Sequence, residues 1–116
     1  MSVKTTPVER KTYSQEEAFE ASLNYFKGDD LAARVWVNKY ALKDSVGNIY
    51  EATPDDMHHR IASEIARIEQ RYPNPMGEEE VLDLIKNFKY IVPQGSPMAG
   101  IRNPFQIASL SNCFVI

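Results

Sequence analysis

The chain has 116 residues, enough for one domain with a modest hydrophobic core. Hydrophobic residues make up 43% of it and charged residues 25%, and the formal net charge of −3 argues against a protein that coats nucleic acid. No apolar run approaches the roughly 20 residues that cross a bilayer, and the polar N-terminus has no signal-peptide core. A single cysteine cannot form an internal disulfide, so an oxidising compartment is not indicated. Together with the charge and the absence of long apolar runs, this predicts a cytoplasmic protein that does not contact DNA or a membrane directly.

The first predicted helix follows a polar segment. Residues 1–12 have no periodic apolar pattern, which predicts a flexible arm. Ser14 with Glu17 three residues later forms a capping box, and Gly28 is a suitable stop. The apolar face of this helix consists of Ala18, Phe19, Ser22, Leu23 and Phe26.

The second predicted helix begins at Asp29 or Asp30, since either carboxylate can cap it. Its buried side is predicted to contain Leu31, Ala32, Val35, Trp36, Lys39, Tyr40 and Leu42. Residues 46–50 then predict a turn with a short extended stretch.

The third helix has the clearest signals. Thr53 is predicted to be its N-cap and Pro54 its first residue, with Asp55 and Asp56 at the positive end of the helix dipole. The helix must end before Pro73. Its apolar stripe consists of Met57, Ile61, Ala62, Ile65, Ala66 and Ile68.

A fourth helix is predicted from Glu78 to Phe88, and it completes a helical domain over residues 13–89. The glutamates of its first turn fit the helix dipole and a solvated face better than a metal site. The apolar side consists of Val81, Leu82, Leu84, Ile85 and Phe88. From Tyr90 onward, the density of proline and glycine predicts loop or extended chain, and residues 109–116 end in a β-prone run.

Few residues suggest chemistry by themselves. His58 and His59 are helix neighbours and point about 100° apart, so we predict no zinc site there. The aromatic residues lie at helical spacing, which favours core packing over a platform for bases. The residues alone favour a buried, inert Cys113, because a catalytic cysteine needs a partner that lowers its pKa and none is evident.

Four segments in order resemble the large catalytic subunit of ribonucleotide reductases. ASLNYFKGDDLAARVWVNKYAL (residues 21–42) and TPDDMHHRIA (53–62) resemble successive helices of that family's N-terminal domain. VPQGSPMAG (92–100) resembles the loop that enters the active site, and SLSNCFVI (109–116) resembles the first strand of the catalytic barrel. The implied fold is a mainly α helical domain followed by the first strand of a ten-stranded α/β barrel, with residues 90–116 as an incomplete catalytic part.

The resemblance also implies roles for individual residues. Ser96 matches a Ser or Thr that hydrogen-bonds the substrate nucleotide. Asn112 and Cys113 match a pair beside the ribose and phosphates, with Cys113 as one of two redox-active cysteines. In such enzymes a thiyl radical on another cysteine removes the 3′ hydrogen, and the redox pair then supplies two electrons to form a deoxyribonucleotide.

The family's other catalytic residues lie further along its sequence, so we expect an N-terminal fragment or split-gene half that is not competent alone. Its expected partners are the remaining catalytic chain, a ribonucleotide and a thioredoxin-type reductant, and self-association stays open. The segment itself is expected to bind no cofactor or metal. For the complete enzyme the resemblance implies either adenosylcobalamin or a metal-containing radical subunit. A non-enzymatic helical interaction module and a truncated remnant stay open as alternatives.

Overall fold

The computed structural model describes residues 11–105 and residue 110. These residues are mainly helical, as predicted. The β-bridges found among them are isolated and antiparallel, and they pair Ile49 with Tyr13 and with Lys43. The helical elements, in chain order, are α1 (Gln15–Tyr25), α2 (Asp30–Lys39), α3 (Pro54–Glu69), α4 (Glu78–Ile85), a 3₁₀ turn (Lys86–Phe88) and α5 (Gly95–Gly100). None of the helices in this part of the chain is long and apolar enough to cross a membrane. The predicted strand over residues 109–116 lies, except for residue 110, outside the described residues.

The predicted helix starts are confirmed, and those of α1, α2 and α3 are each closed by a side-chain hydrogen bond within a few residues. Ser14 Oγ accepts from the Glu17 amide at 3.1 Å and begins α1. Asp29, not Asp30, caps α2 and accepts from the Ala32 amide at 3.1 Å. The α3 start is held by a side chain in its first turn, since Asp56 accepts from the Ala52 amide at 2.9 Å. These bonds pair amide groups that a helix start otherwise leaves without partners.

The helices pack in two pairs, α1 against α2 and α3 against α4. The largest fully buried side chains include Met57, Ile61 and Val37, and the cluster around them extends to Val81 of α4 and to Met98 of α5. Ser22 Oγ donates to the Ala52 carbonyl at 2.7 Å, and this buried bond joins α1 to the start of α3. The core therefore lies between the two helix pairs and includes α5.

The predicted buried side of α2 is partly wrong. Leu31 is 72% exposed, Val35 is 37% exposed, and Lys39 is also exposed. The residues of α2 that are buried are Ala33, Trp36 and Val37. The helix carries apolar side chains on more than one face, and the packing of α2 against α1 and the core selects one of them. Trp36 was predicted correctly because it lies where the two faces adjoin.

The ends of α3 and α4 also differ from the prediction. Ile68, assigned to the apolar stripe of α3, is 39% exposed, because it lies in the last turn of the helix. α4 ends at Ile85 instead of Phe88. Asn87 (φ 57°) and Phe88 (φ 53°) are in the left-handed region, so the chain leaves the helix there. Asn tolerates this conformation better than most residues.

The prediction of loop or extended chain from Tyr90 onward is wrong for Gly95–Gly100, which form α5. Pro97 lies in the first turn of this helix, where a missing amide hydrogen costs no intrahelical bond. The amide of Met98 donates to Gln94 O and that of Ile101 donates to Pro97 O, both at 3.1 Å. Proline and glycine therefore mark the ends of a short helix here.

Candidate functional site

Ser96 lies in the first turn of α5 and is half-buried. It is the one predicted site residue within the described part of the chain. Asn112 and Cys113 lie outside the described residues. The site can therefore be built from α5 and from the elements that hold it.

The first turn of α5 lies directly on Tyr40, the residue that caps the C-terminal end of α2. A Cβ atom placed on Gly95 would be 3.1 Å from Tyr40 Cε1 and 3.2 Å from Tyr40 Oη. Such a contact is tighter than most Cβ contacts in proteins, so a larger residue at position 95 would require Tyr40 to shift by a few tenths of an ångström. Two residues beyond Ser96, the side chain of Met98 enters the core and is 9% exposed. These two contacts fix the side of α5 that faces the helical body.

An apolar groove of about 220 Å³ runs beside α5. It is lined by Phe26, Ala32, Val35, Trp36, Tyr40, Phe88 and Met98. These side chains present only apolar surface to the groove, since the Trp36 indole N–H is directed to Met57 Sδ at 3.4 Å. A nucleotide phosphate would find no cation among these residues, so the groove fits packing against apolar surface.

A buried ion pair holds the other end of α5. Arg60 of α3 is 8% exposed and Glu51 is 4% exposed. Arg60 Nε donates to Glu51 Oε2 at 2.9 Å, and Arg60 Nη2 donates to the Met98 carbonyl at 2.6 Å. Arg60 Nη1 donates to the Ile101 carbonyl. The guanidinium therefore pairs a carboxylate and two carbonyls at the C-terminal end of α5.

The chain after α5 is bound back to the body. Arg102 Nη1 donates to Ser63 Oγ of α3 at 2.5 Å, and Asn103 Nδ2 donates to the Ala99 carbonyl at 3.2 Å. The ring of Phe105 stacks on that of Tyr50 with 4.8 Å between centroids. Residues 102–105 are therefore held against the helical body.

The two adjacent histidines have different environments. His59 is 53% exposed, and its Nδ1 lies 3.0 Å from the Asp55 carbonyl oxygen. His58 is fully buried, and neither of its ring nitrogens has a hydrogen-bond partner among the described residues. Burial lowers the pKa of the His58 imidazole. Within residues 11–105, no group of three or more His, Cys, Asp or Glu side chains could hold a metal ion.

The family model of the ribonucleotide reductase all-alpha domain matches residues 26–103, about two thirds of the chain. The chain belongs to the ribonucleotide reductase large-subunit family. The match runs from the end of α1 through α5, so it includes Ser96 and ends before Asn112 and Cys113. No curated protein sequence and no solved structure matches the chain significantly. The mainly helical fold of the described residues agrees with an all-alpha domain of this reductase family.

The sequence interpretation missed the Glu51–Arg60 pair. The signal was present for Arg60, which lies three residues after Met57 and one before Ile61, on the apolar stripe of α3. A charged residue on such a stripe needs a buried partner. Glu51 precedes the helix and follows no periodic pattern, so only the fold identifies it as that partner.

Proposed function

We propose that this chain forms the helical part of a ribonucleotide reductase catalytic subunit and presents α5 and the segment after it to the substrate. The match to the reductase all-alpha domain, which includes α5, is the observation that carries this proposal. Ribonucleotide reductases are oxidoreductases, and the reaction assigned to the complete enzyme is conversion of a ribonucleotide to a deoxyribonucleotide.

Ser96 is proposed to hydrogen-bond the ribonucleotide. Its position in the first turn of α5 supports this role, because the helix is fixed at Gly95 on one side and at Met98 on the other. A hydroxyl on a fixed backbone pays little conformational entropy when it binds a ligand. The half-buried state of Ser96 leaves part of the side chain accessible.

Cys113 is proposed as one of two thiols that reduce the ribose, with Asn112 beside it. Two thiols lose two electrons and two protons and form a disulfide, while the 2′ carbon–oxygen bond breaks and the oxygen leaves as water. A thiyl radical on a third cysteine takes the 3′ hydrogen and later returns it. Because Cys113 is the only cysteine here, both other sulfurs must come from the remaining catalytic chain. A thioredoxin-type reductant would restore the thiols.

The radical generator, whether adenosylcobalamin or a metal-containing subunit, is proposed to bind outside this segment. In residues 11–105 the side chains offer no cluster of three metal-ligating groups, so this part of the chain does not fit such a metal site. The bound generator would supply the radical, and the helical body would hold Ser96 in place. The generator's class is left open by the family match.

The test is turnover of the complete catalytic chain, made either as one polypeptide or by complementing this segment with the remaining part. Cys113→Ala should abolish turnover with a dithiol reductant, and Ser96→Ala should raise KM for the ribonucleotide. Ser45→Ala is the matched control, because Ser45 is exposed in the turn after α2. Full turnover by Cys113→Ala would instead be the behaviour of a non-enzymatic interaction module and would end the proposal.

A further inference from the structure

α5 has only six residues, and a helix of that length is not stable by itself in water. Its position must therefore come from tertiary contacts. The contacts at its start are van der Waals contacts of Gly95 with Tyr40. The contacts at its end are hydrogen bonds from Arg60 to the carbonyls of Met98 and Ile101. The last carbonyls of a helix have no intrahelical partner, so these two acceptors depend on an external donor.

Arg60 is itself held in place. Its guanidinium forms two bonds with Glu51, Nε to Oε2 at 2.9 Å and Nη2 to Oε1 at 3.3 Å. Glu51 Oε1 also accepts from the Leu42 amide at 3.0 Å. A continuous set of bonds thus runs from the chain after α2, through Glu51, to Arg60 on α3 and on to α5. The ion pair at its centre is shielded from water, since both charged side chains are less than a tenth exposed.

This set of bonds affects the position of Ser96 because it holds the C-terminal end of the same short helix. Met98 and Ile101 lie two and five residues after Ser96, which corresponds to about 3 and 7.5 Å along a helix axis. A helix this short moves as a rigid unit, so displacement of its C-terminal end displaces its first turn. We propose that Arg60 is a positioning residue that, through Met98 and Ile101, sets the location of the Ser96 hydroxyl for the ribonucleotide. This inference rests on the role proposed above for Ser96.

The first experiment measures amide hydrogen exchange in the 116-residue chain with Arg60→Lys. Lysine keeps the charge, but its single ammonium cannot meet a carboxylate and two carbonyls in the planar arrangement of a guanidinium. We expect amides in residues 95–101 to exchange about tenfold faster, because α5 opens locally while α1–α4 stay protected. Arg67→Lys is the matched control: Arg67 is on the same helix but pairs with Glu64 at the surface. Unchanged exchange over residues 95–101 in Arg60→Lys would overturn the positioning role.

If Arg60→Lys fails to fold, Glu51→Gln carries the same test. Glutamine keeps one acceptor oxygen, which can still accept from the Leu42 amide and Arg60 Nη2, but it removes the charge and replaces the oxygen that accepts from Arg60 Nε with a donor NH2 group. Amide hydrogen exchange over residues 95–101 should still be faster in Glu51→Gln than in Arg67→Lys. The increase should be smaller than in Arg60→Lys, which loses the guanidinium. Exchange equal to that of Arg67→Lys would overturn the positioning role in this variant too.

The second experiment separates positioning from general stability in the complete catalytic chain. Arg60→Lys should raise KM for the ribonucleotide by about tenfold, the equivalent of one lost hydrogen bond, with a smaller change in kcat. In a Ser96→Ala background, Arg60→Lys should cause no further increase in KM for the ribonucleotide, since the hydroxyl that Arg60 positions is already gone. Independent, multiplicative effects of the two substitutions would overturn the inference. If Ser96→Ala alone leaves KM unchanged while Arg60→Lys still loosens α5, the role proposed for Ser96 has failed instead.

Discussion

His58 provides the sharpest test of the packing between α3 and the turn that follows α4. Its imidazole is fully buried, and its ring contacts the Phe88 ring edge-on with 4.7 Å between centroids. Neither ring nitrogen has a hydrogen-bond partner among the described residues. A buried polar group in this state destabilises the fold. His58→Leu removes both nitrogens and keeps an apolar side chain at the site.

The expected gain follows from two opposing contributions. A buried polar group without a partner costs about 1–3 kcal/mol, and leucine relieves that cost. The substitution also loses the ring contact with Phe88, which is worth about 0.5–1.5 kcal/mol. We therefore expect His58→Leu to raise the free energy of unfolding by about 1 kcal/mol at neutral pH.

The same residue should make stability depend on pH. Burial lowers the pKa of His58, the Asp55 carboxylate opposes that shift, and His59 adds to it. In the unfolded chain the imidazole takes up a proton near pH 6.5. Below about pH 6.5 the unfolded state binds more protons than the folded state, so stability falls as the pH falls until the lower, folded-state pKa is reached. The slope from this residue is at most about 1.4 kcal/mol per pH unit, and His58→Leu should lack it.

Urea unfolding at several pH values measures both effects, followed by the fluorescence of Trp36, the only tryptophan, which is 3% exposed. The stability difference between His58→Leu and the unaltered chain should widen as the pH falls from 6.5 to 5.5. His59→Leu is the control, because its side chain is on the same helix but half-exposed, and the slope caused by the burial of His58 should persist in it. A constant difference across this range would refute the reasoning, since it would mean that His58 is protonated or paired in the folded protein.

Three further substitutions test individual contacts by thermal or urea unfolding. Ser22→Ala leaves the buried Ala52 carbonyl without its donor and should cost about 1–3 kcal/mol; a cost below experimental error would contradict the 2.7 Å bond. Gly95→Ala places a Cβ 3.1 Å from Tyr40 Cε1 and should cost about 1–3 kcal/mol, with faster amide exchange in α5; unchanged exchange would show that α5 does not rest there. Met57→Ala empties a fully buried position and should cost about 2–5 kcal/mol, and a loss under about 1 kcal/mol would place Met57 outside the core.

The helix starts could be predicted from the sequence because each is decided within a few residues. Ser14 binds the amide of Glu17, and Asp29 binds the amide of Ala32. These side chains meet their partners in any conformation that starts the helix, whatever packs around it. Order and spacing of short segments also predicted the reductase family, and the match over residues 26–103 confirms it.

The candidate site was predicted only in part. Ser96 was selected by resemblance, while the helix that carries it was predicted as loop or extended chain. The density of proline and glycine misled the prediction, because α5 gains its stability from contacts with Tyr40 and Arg60 and from the burial of its Met98 in the core, and not from the helix propensity of its residues. Those contacts join residues up to 55 positions apart, which local patterns do not record.

By itself the sequence determined where the four main helices begin and which protein family they belong to. Only the tertiary structure decided which face of α2 is buried, where α4 ends, and that Arg60 and Glu51 pair beneath α5. The physical reason is the range of the interactions. Caps and dipoles act within one helical turn, whereas burial and ion pairing depend on which distant segments pack together and exclude water.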